Sequence, residues 1–567
     1  MKRIRPLRLA LSIAAALALA ACGRGRHEFS SSGEVTHNWK PASTSVAGVT
    51  ESQVQSAIQT QLAGKPPAGV PEDSWKHVRA LYARFGGLPL WLDDKGIHQE
   101  RAGALEASLA DADSDALALA RFPINALADA LQAVHSNSHP TAEQLANADV
   151  VLTSTYAMLG EDLLTGQLAP EKFAQSWHIN PQEEHVDSAL SLTLRTDSLP
   201  AGLQRMRPLD SGYVALRGAL MHYRDIVARG GWDTVPTGRA LKRGDTDSPA
   251  RIGALRQRLA AEGYTVDSGA AANPRAYDAS LAAAVANFQE HHAIGVDSML
   301  GPETVDALNV PASYRLAEIA ANLERYRWLP RDFGSRYILV NVPQFKLTAY
   351  DSGQTSLTMK VIVGQEYQDK ATPVFSDSME FVVFRPYWNI TPDIAAKEIW
   401  PKVNADPGYL EAHNMEVVND HGTQLVRQRP GPKNSLGLVK FMFPNDYNIY
   451  LHDTPDDELF KKDVRAFSHG CIRLEKPDEL AEWVLGWPAD KVHEAMQDGP
   501  DNHTVNLPKK IPVYIVYFTT FSENGDLHFG NDLYSRDDAL VQAEEPAAMP
   551  SPQVQKALAA LRAAAGQ

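Results

Sequence analysis

The chain changes texture near residue 336, and this constrains its fold more than any other feature. From 72 to 310 it is rich in Ala and Leu with helical spacing, and from 336 to 520 it carries runs of β-branched and aromatic residues. Trp75, Val78, Leu81, Tyr82 and Phe85 form one amphipathic stripe that Gly86-Gly87 stops. Further helices are expected at 100–118, 122–136, 141–164 and 211–229. In the second half, 337–342, 381–388, 448–452 and 511–517 read as strands. A period of 3.6 and a period of 2 cannot share one layer, so the expected class is multidomain α+β. At 567 residues, roughly 150 per domain gives three or four units.

The blocks have readable edges. Residues 72–235 contain no chemical motif and are expected to be a helical scaffold. Residues 237–310 form a small three-helix pattern. One helix, 249–263, opens on Pro and closes on Gly, the next, 278–292, has Asp278 as N-cap, and the third follows Gly301-Pro302. Adjacent His291 and His292 project about 100° apart on a helix, so they do not make a metal site. Residues 336–520 are the β-rich domain. An insertion at about 393–438, with a helix at 393–401 and a Gly/Pro-rich stretch at 428–434, has the character of a lid. The tail, 540–567, ends in a helix-like stretch expected to be peripheral.

The N-terminus speaks to compartment. Residues 1–8 are basic and 9–21 are an uninterrupted apolar run, too short to span a bilayer, so 1–21 reads as a signal peptide. The run ends Leu19-Ala20-Ala21-Cys22, which resembles a bacterial lipobox with Cys22 as the lipidated residue. Residues 22–71, rich in Ser, Thr, Gly, Pro and Ala, are expected to be a flexible tether. The expected location is the periplasm, anchored to a membrane by the lipid, the outer rather than the inner because Gly23 is no retention signal. The whole chain carries a net charge of −15, and without the leader 50 basic residues face 69 acidic ones. Such a surface argues against nucleic acid as a partner. Only two cysteines exist, so Cys471 is a lone exported thiol if Cys22 is acylated.

The chemistry gathers in 450–473. Tyr450-Leu451-His452-Asp453 is followed, with fifteen residues between His452 and Ser468, by Ser468-His469-Gly470-Cys471-Ile472-Arg473. A cysteine attacks a carbonyl as thiolate, and an imidazole at hydrogen-bond reach takes its proton. His452, at the end of an apolar strand, is the expected base, with the Asp453 main chain as a carbonyl to hold its distal nitrogen. Gly470 allows close approach, and the N–H groups of Gly470 and Cys471 are expected to form an oxyanion hole. Arg473 places a planar cation beside the thiol, suited to a substrate carboxylate.

This string resembles the signature of the YkuD-type L,D-transpeptidases, and 72–567 is similar to their YcbB-like subgroup. Residues 322–328 (NLERYRW), Val340-Asn341-Val342-Pro343, Thr372-Pro373-Val374-Phe375, Pro386-Tyr387-Trp388-Asn389 and Asn434–Phe441 also fit. Val285, Phe288, Gln289, His292, Gly295, Asp297, Gly301, Thr304, Leu308 and Asn309 resemble peptidoglycan-binding domain type 1. The resemblance implies a helical scaffold, a peptidoglycan-binding domain and a catalytic domain with an inserted capping subdomain. It also implies acyl transfer on peptidoglycan stem peptides: Cys471 forms a thioester with a tetrapeptide donor, D-Ala leaves, and a diaminopimelate amine resolves it as a 3→3 cross-link. Tyr450 and Trp388 match substrate-cleft positions, Ser468 and His469 shape the site, and carbapenems would acylate Cys471. No cofactor or metal is implied. Water as acceptor, giving an L,D-carboxypeptidase or hydrolase, and a non-catalytic wall-binding anchor are the alternatives.

Overall fold

In the computed structural model of the protein, the described residues are 45–174, 176–179, 186–195, 198–266, 273–366, 370–420, 423–549 and 551–564. The leader, Cys22 and the start of the expected tether lie outside them.

The scaffold is built around Ala142–Thr165. This helix is apolar almost all round, so neighbours must cover every face. Glu51–Leu62, Glu72–Arg84 and Ile124–His135 pack on it. The buried Asp149 carboxylate is satisfied by the Tyr82 hydroxyl at 2.5 Å and by the Leu90 and Trp91 N–H groups at 3.0 and 2.8 Å. A buried carboxylate is tolerable only with such partners.

Two expectations at the chain's ends are corrected here. Residues 45–71 are not a tether throughout. Ser45–Val46 pairs with Val49–Thr50, and the helix Glu51–Leu62 buries Val54 and Ile58 completely in the scaffold core. Two apolar anchors four residues apart suffice to dock an otherwise polar helix, and a composition dominated by Ser, Thr and Gln hides them. Likewise the tail is not peripheral. Pro552–Ala564 seats Val554, Leu558 and Leu561 in the same core, a stripe spaced i, i+4, i+7. Asp538–Ala548 packs along Ala312–Arg327.

The expected scaffold boundary at 235 also moves. Ser211–Ala228 turns Tyr213, Leu216, Leu220 and Tyr223 into the core of the C-terminal domain, packed on Ala312–Arg327. The charges of 322–328 are buried here. Arg325 pairs with Asp537 at 2.6 Å, Arg327 pairs with Glu324 and donates to the Asp115 carbonyl at 2.7 Å, and Glu324 accepts from Leu168 N–H at 2.7 Å. Scaffold, connecting helix and tail are thereby tied through one polar centre.

The central module, Pro249–Ala261, Ala279–His291 and Pro302–Leu308, has its own small core. Its Gln289 side chain is buried. The amide donates to Asp297, Met299 and Thr304 and its oxygen accepts from Asp297 and Ser298 N–H. These three resemblance residues therefore fasten a turn. His292 lies stacked between Phe288 and Phe529, so the module leans on the C-terminal domain.

Eight of the described strands close into a barrel: β1 (Arg336–Asn341), β2 (Lys346–Asp351), β3 (Gln354–Gly364), β4 (Val374–Phe384), β5 (Val439–Met442), β6 (Leu451–His452), β7 (Ile472–Leu474) and β8 (His503–Val516). The order is β5-β6-β7-β3-β2-β1-β8-β4, and β4 returns to β5. The β6–β7 and β1–β8 pairs are parallel. Closure leaves few free edges, and the scaffold's Trp177–His178 adds to one of them, beside β4. The insertion carries its own three-stranded sheet from Trp388–Asn389, Met415–Asp420 and Thr423–Gln428. It also has a separate small core around Ile390, Ile399, Met415 and Val426, so it begins about five residues before the expected edge at 393.

Candidate active site

The short parallel pair β6–β7 brings the two halves of the motif together. Register sets Leu451 opposite Ile472 and His452 opposite Arg473, and Ile472 N–H donates to the Tyr450 carbonyl at 3.1 Å. Cys471, immediately before β7, therefore stands beside Tyr450, two residues before His452. All three line a cleft of about 990 Å³ between the barrel and the insertion, with Trp388, Lys440, Asn448, Ser468, His469 and Arg473.

His452 is held in one orientation. Its Nδ1 lies 2.5 Å from the carbonyl of Asp453, which assigns the proton to Nδ1 and leaves Nε2 as an acceptor. Burial, with Arg473 and Lys440 nearby, pushes its pKa down to about 3. The imidazole is thus neutral. Asp453 acts through its main chain. Its carboxylate accepts from Leu438 and Thr454 N–H, both at 2.7 Å, and burial lifts its pKa to about 6. Gly437 is required opposite it: its φ is +61°, and a Cβ there would collide with the Asp453 carboxylate.

Cys471 is the one free cysteine among the described residues. Its thiol points to the Asn448 carbonyl at 3.6 Å. Burial raises its pKa, opposed by hydrogen bonds from the Tyr450 N–H and hydroxyl and by the charges of Lys440 and Arg473. The resting pair is therefore neutral thiol and neutral imidazole, not a preformed ion pair.

The turn before Cys471 differs from expectation in one respect. The Gly470 N–H is donated to Ser468 Oγ at 3.1 Å, so it is not free to bind an oxyanion. Ser468 is buried, and its hydroxyl donates to the Cys471 carbonyl at 2.5 Å. The hydroxyl bridges the turn, a geometry that residue spacing cannot reveal. Gly470 has φ +115°, and its carbonyl accepts from Thr372 Oγ1 at 2.9 Å. Thr372 in turn accepts from Gly364 N–H at 3.0 Å, and the Tyr534 hydroxyl donates to the Gly364 carbonyl at 2.7 Å. A residue beyond the expected domain end at 520 thus buttresses the turn before Cys471.

His469 faces the insertion. Its Nε2 lies 2.6 Å from Glu398 Oε1, which also accepts from Lys370 at 3.0 Å. These two partners hold the Glu398 carboxyl below its ordinary pKa. Glu398 sits in a π-helical turn, Ala395–Ile399, the kind of irregular segment that re-aims a side chain. Trp388 reaches the cleft from the insertion's edge strand, and Arg473 Nη1 is paired with Asp456 at 2.8 Å. Lys440, Glu398, Asn448, Thr372 and Tyr534 are site residues that the motif reading missed. A lone lysine within Val439–Met442 was the available signal for the first. Among the described residues, no group of three or more His, Cys, Asp or Glu could hold a metal.

Three segments of the chain match known protein families. Residues 335–515 match the YkuD family, described as "L,D-transpeptidase catalytic domain". Residues 76–220 match a "Scaffold domain", and 248–308 a "Putative peptidoglycan binding domain". A Haemophilus influenzae protein named "Putative L,D-transpeptidase" is 33% identical over 249 residues, covering 40% of this chain and 49% of that relative. The match thus spans about half of the relative's length. Among solved structures, an L,D-transpeptidase (residues 123–326) from Xylanimonas cellulosilytica is 17% identical, covering 50% of this chain and 99% of that one, with TM-score 0.18. A fused Zn-dependent amidase/peptidase/peptidoglycan-binding protein from Clostridium acetobutylicum is 14% identical, covering 49% and 100%, with TM-score 0.15.

Proposed function

We propose, from the premise that residues 335–515 form a YkuD-type L,D-transpeptidase catalytic domain, that the chain forms 3→3 cross-links between peptidoglycan stem peptides. The observation that carries this reading is the imidazole of His452, pinned through Nδ1, lining the same cleft as the Cys471 thiol.

The thiol attacks the carbonyl of the donor's third residue while His452 Nε2 takes its proton. The C–N bond then breaks, His452 returns the proton to the departing D-Ala amine, and a thioester remains on Cys471. The side-chain amine of a second stem's diaminopimelate attacks the thioester and loses a proton to His452. An amide forms and the thiol is regenerated. The thioester conserves the energy of the broken amide, so no nucleotide is consumed. The 248–308 module supports a wall-bound substrate. Export, with a lipid on Cys22 holding the chain at a membrane facing the periplasm, completes the reading; palmitate labelling lost in Cys22→Ala tests it.

The test of the activity is incubation of the full chain with purified disaccharide-tetrapeptide, followed by mass spectrometry, with Cys471→Ala alongside. The expected product is a dimer that has lost one D-Ala, absent from the variant. Tripeptide monomer alone would make water the acceptor and the protein an L,D-carboxypeptidase. No conversion, with retention on isolated cell wall, would leave a binding anchor.

A further inference from the structure

Four cations line the cleft around Cys471: Lys370, Lys397, Lys440 and Arg473. Three are already neutralised. Lys370 pairs with Glu398 at 3.0 Å, Lys397 with Asp393 at 2.9 Å, and Arg473 with Asp456 at 2.8 Å. Lys440 stands apart. Among the described residues its ammonium has no carboxylate partner, and it lies over the face of the Tyr450 ring, 4.8 Å from the centroid. In a chain with net charge −15, an unpaired ammonium kept half-buried in a catalytic cleft is a specific arrangement. Burial lowers its pKa from the ordinary 10.5, opposed by the neighbouring Cys471. A bound anion would relieve that cost.

Sheet register fixes where this charge points. Lys440 on β5 is the direct antiparallel partner of His452 on β6. Directly opposed residues project from the same face, with Cβ atoms about 5 Å apart. Tyr450, two residues before His452, shares that face, as its contact with the Lys440 ammonium requires. Now consider the leaving group. His452 hands its proton to the departing amine, so that nitrogen sits at Nε2. In a donor that ends one residue beyond the scissile bond, the terminal carboxylate is two bonds from the same nitrogen. It is thereby confined to the neighbourhood of His452, whose face Lys440 shares.

We propose that Lys440 is the receptor for the free C-terminal carboxylate of the acyl donor, and so selects donors whose leaving group is a single amino acid. The inference rests on the acyl-transfer reading above. Arg473, the parallel neighbour on the other side of His452, is spent on Asp456 and leaves this role to Lys440.

The experiment compares two donors, disaccharide-tetrapeptide and the same compound with a C-terminal carboxamide, by kcat/KM from product mass spectrometry. The full chain is compared with Lys440→Met and Lys440→Arg, and thermal melts check that each variant folds. For the unsubstituted chain, the acid donor is expected to exceed the amide by roughly 10- to 100-fold, as a charge-assisted contact allows. Lys440→Met should reduce that preference to within about threefold, chiefly through a higher KM for the acid donor. Lys440→Arg should keep most of it. A Met variant that retains the full preference, or that slows both donors equally, would overturn the proposal and leave Lys440 as a neighbour of the thiol only. If the unsubstituted chain converts neither donor, the acyl-transfer reading itself fails and this one falls with it.

Discussion

The Cys471 thiol has a raised pKa because burial outweighs the two hydrogen bonds from Tyr450 and the charges of Lys440 and Arg473. The sign of the pH effect follows. A raised value keeps the thiol protonated through neutrality, so alkylation by iodoacetamide should climb with pH and titrate above the ordinary 9.0, with no plateau between pH 6 and 8. His452, pushed down to about 3, is already a base at pH 5, so kcat/KM should show no inflection near 6.5 from this residue. Tyr450→Phe removes the hydroxyl donor but keeps the backbone N–H. A hydrogen bond to a charged sulfur contributes about 1.5–3 kcal/mol, so alkylation at fixed pH should fall by roughly 10-fold or more. An unchanged profile would mean that the hydroxyl does not reach the thiolate.

At the scale of elements, two joints govern the site. One is the insertion's contact through Glu398, which holds both His469 and Lys370. Glu398→Gln should loosen the insertion, seen as faster hydrogen exchange across 392–405 and a higher KM, with the thiol's alkylation profile retained. The other is the open end of the β5–β6 pair, where Gly437, just before β5, faces the carboxylate of Asp453, just after β6. Gly437→Ala places a Cβ against that carboxylate at positive φ, and should cost about 1–3 kcal/mol in denaturant titration. Because β6 is only two residues long, a shift there moves His452 directly.

Across the whole molecule, the chain's two ends complete its cores. Glu51–Leu62 and Pro552–Ala564 both pack into the scaffold, while Tyr534 and Asp538–Ala548 brace the catalytic half. Leu561 is fully buried, so Leu561→Ala should destabilise by about 2–4 kcal/mol in a thermal melt and leave Cys471 alkylation unchanged. Faster alkylation as well would show that the scaffold and the barrel unfold as one unit, since unfolding exposes a thiol that the fold keeps buried and protonated. The buried centre of Glu324, Arg327, Asp115 and Arg325–Asp537 is the physical reason such coupling could exist, since each charge needs its partner to remain buried.

Much of this was legible in the amino-acid order. Cys471, His452 and the strings around them lie close together in sequence, and the period of the apolar residues separated the helical half from the β half. The carbonyl that orients His452 is one residue away, so local chemistry could find it. What stayed hidden depends on contacts between distant segments. The docking of Glu51–Leu62 rests on Val54 and Ile58, too few to stand out from a polar composition. The engagement of the Gly470 N–H by Ser468, the pairing of Arg473 with Asp456, and the reach of Glu398 to His469 follow from turn closure and domain docking. Lys440 is the clearest case. A lone lysine in an apolar strand is its only mark in the sequence, and it is the barrel register that sets it opposite His452, with the other Lys and Arg side chains of the cleft already paired. Sequence determines which groups are present and how strands alternate; register and burial are collective properties of the closed sheet, and they decide which of those groups meet.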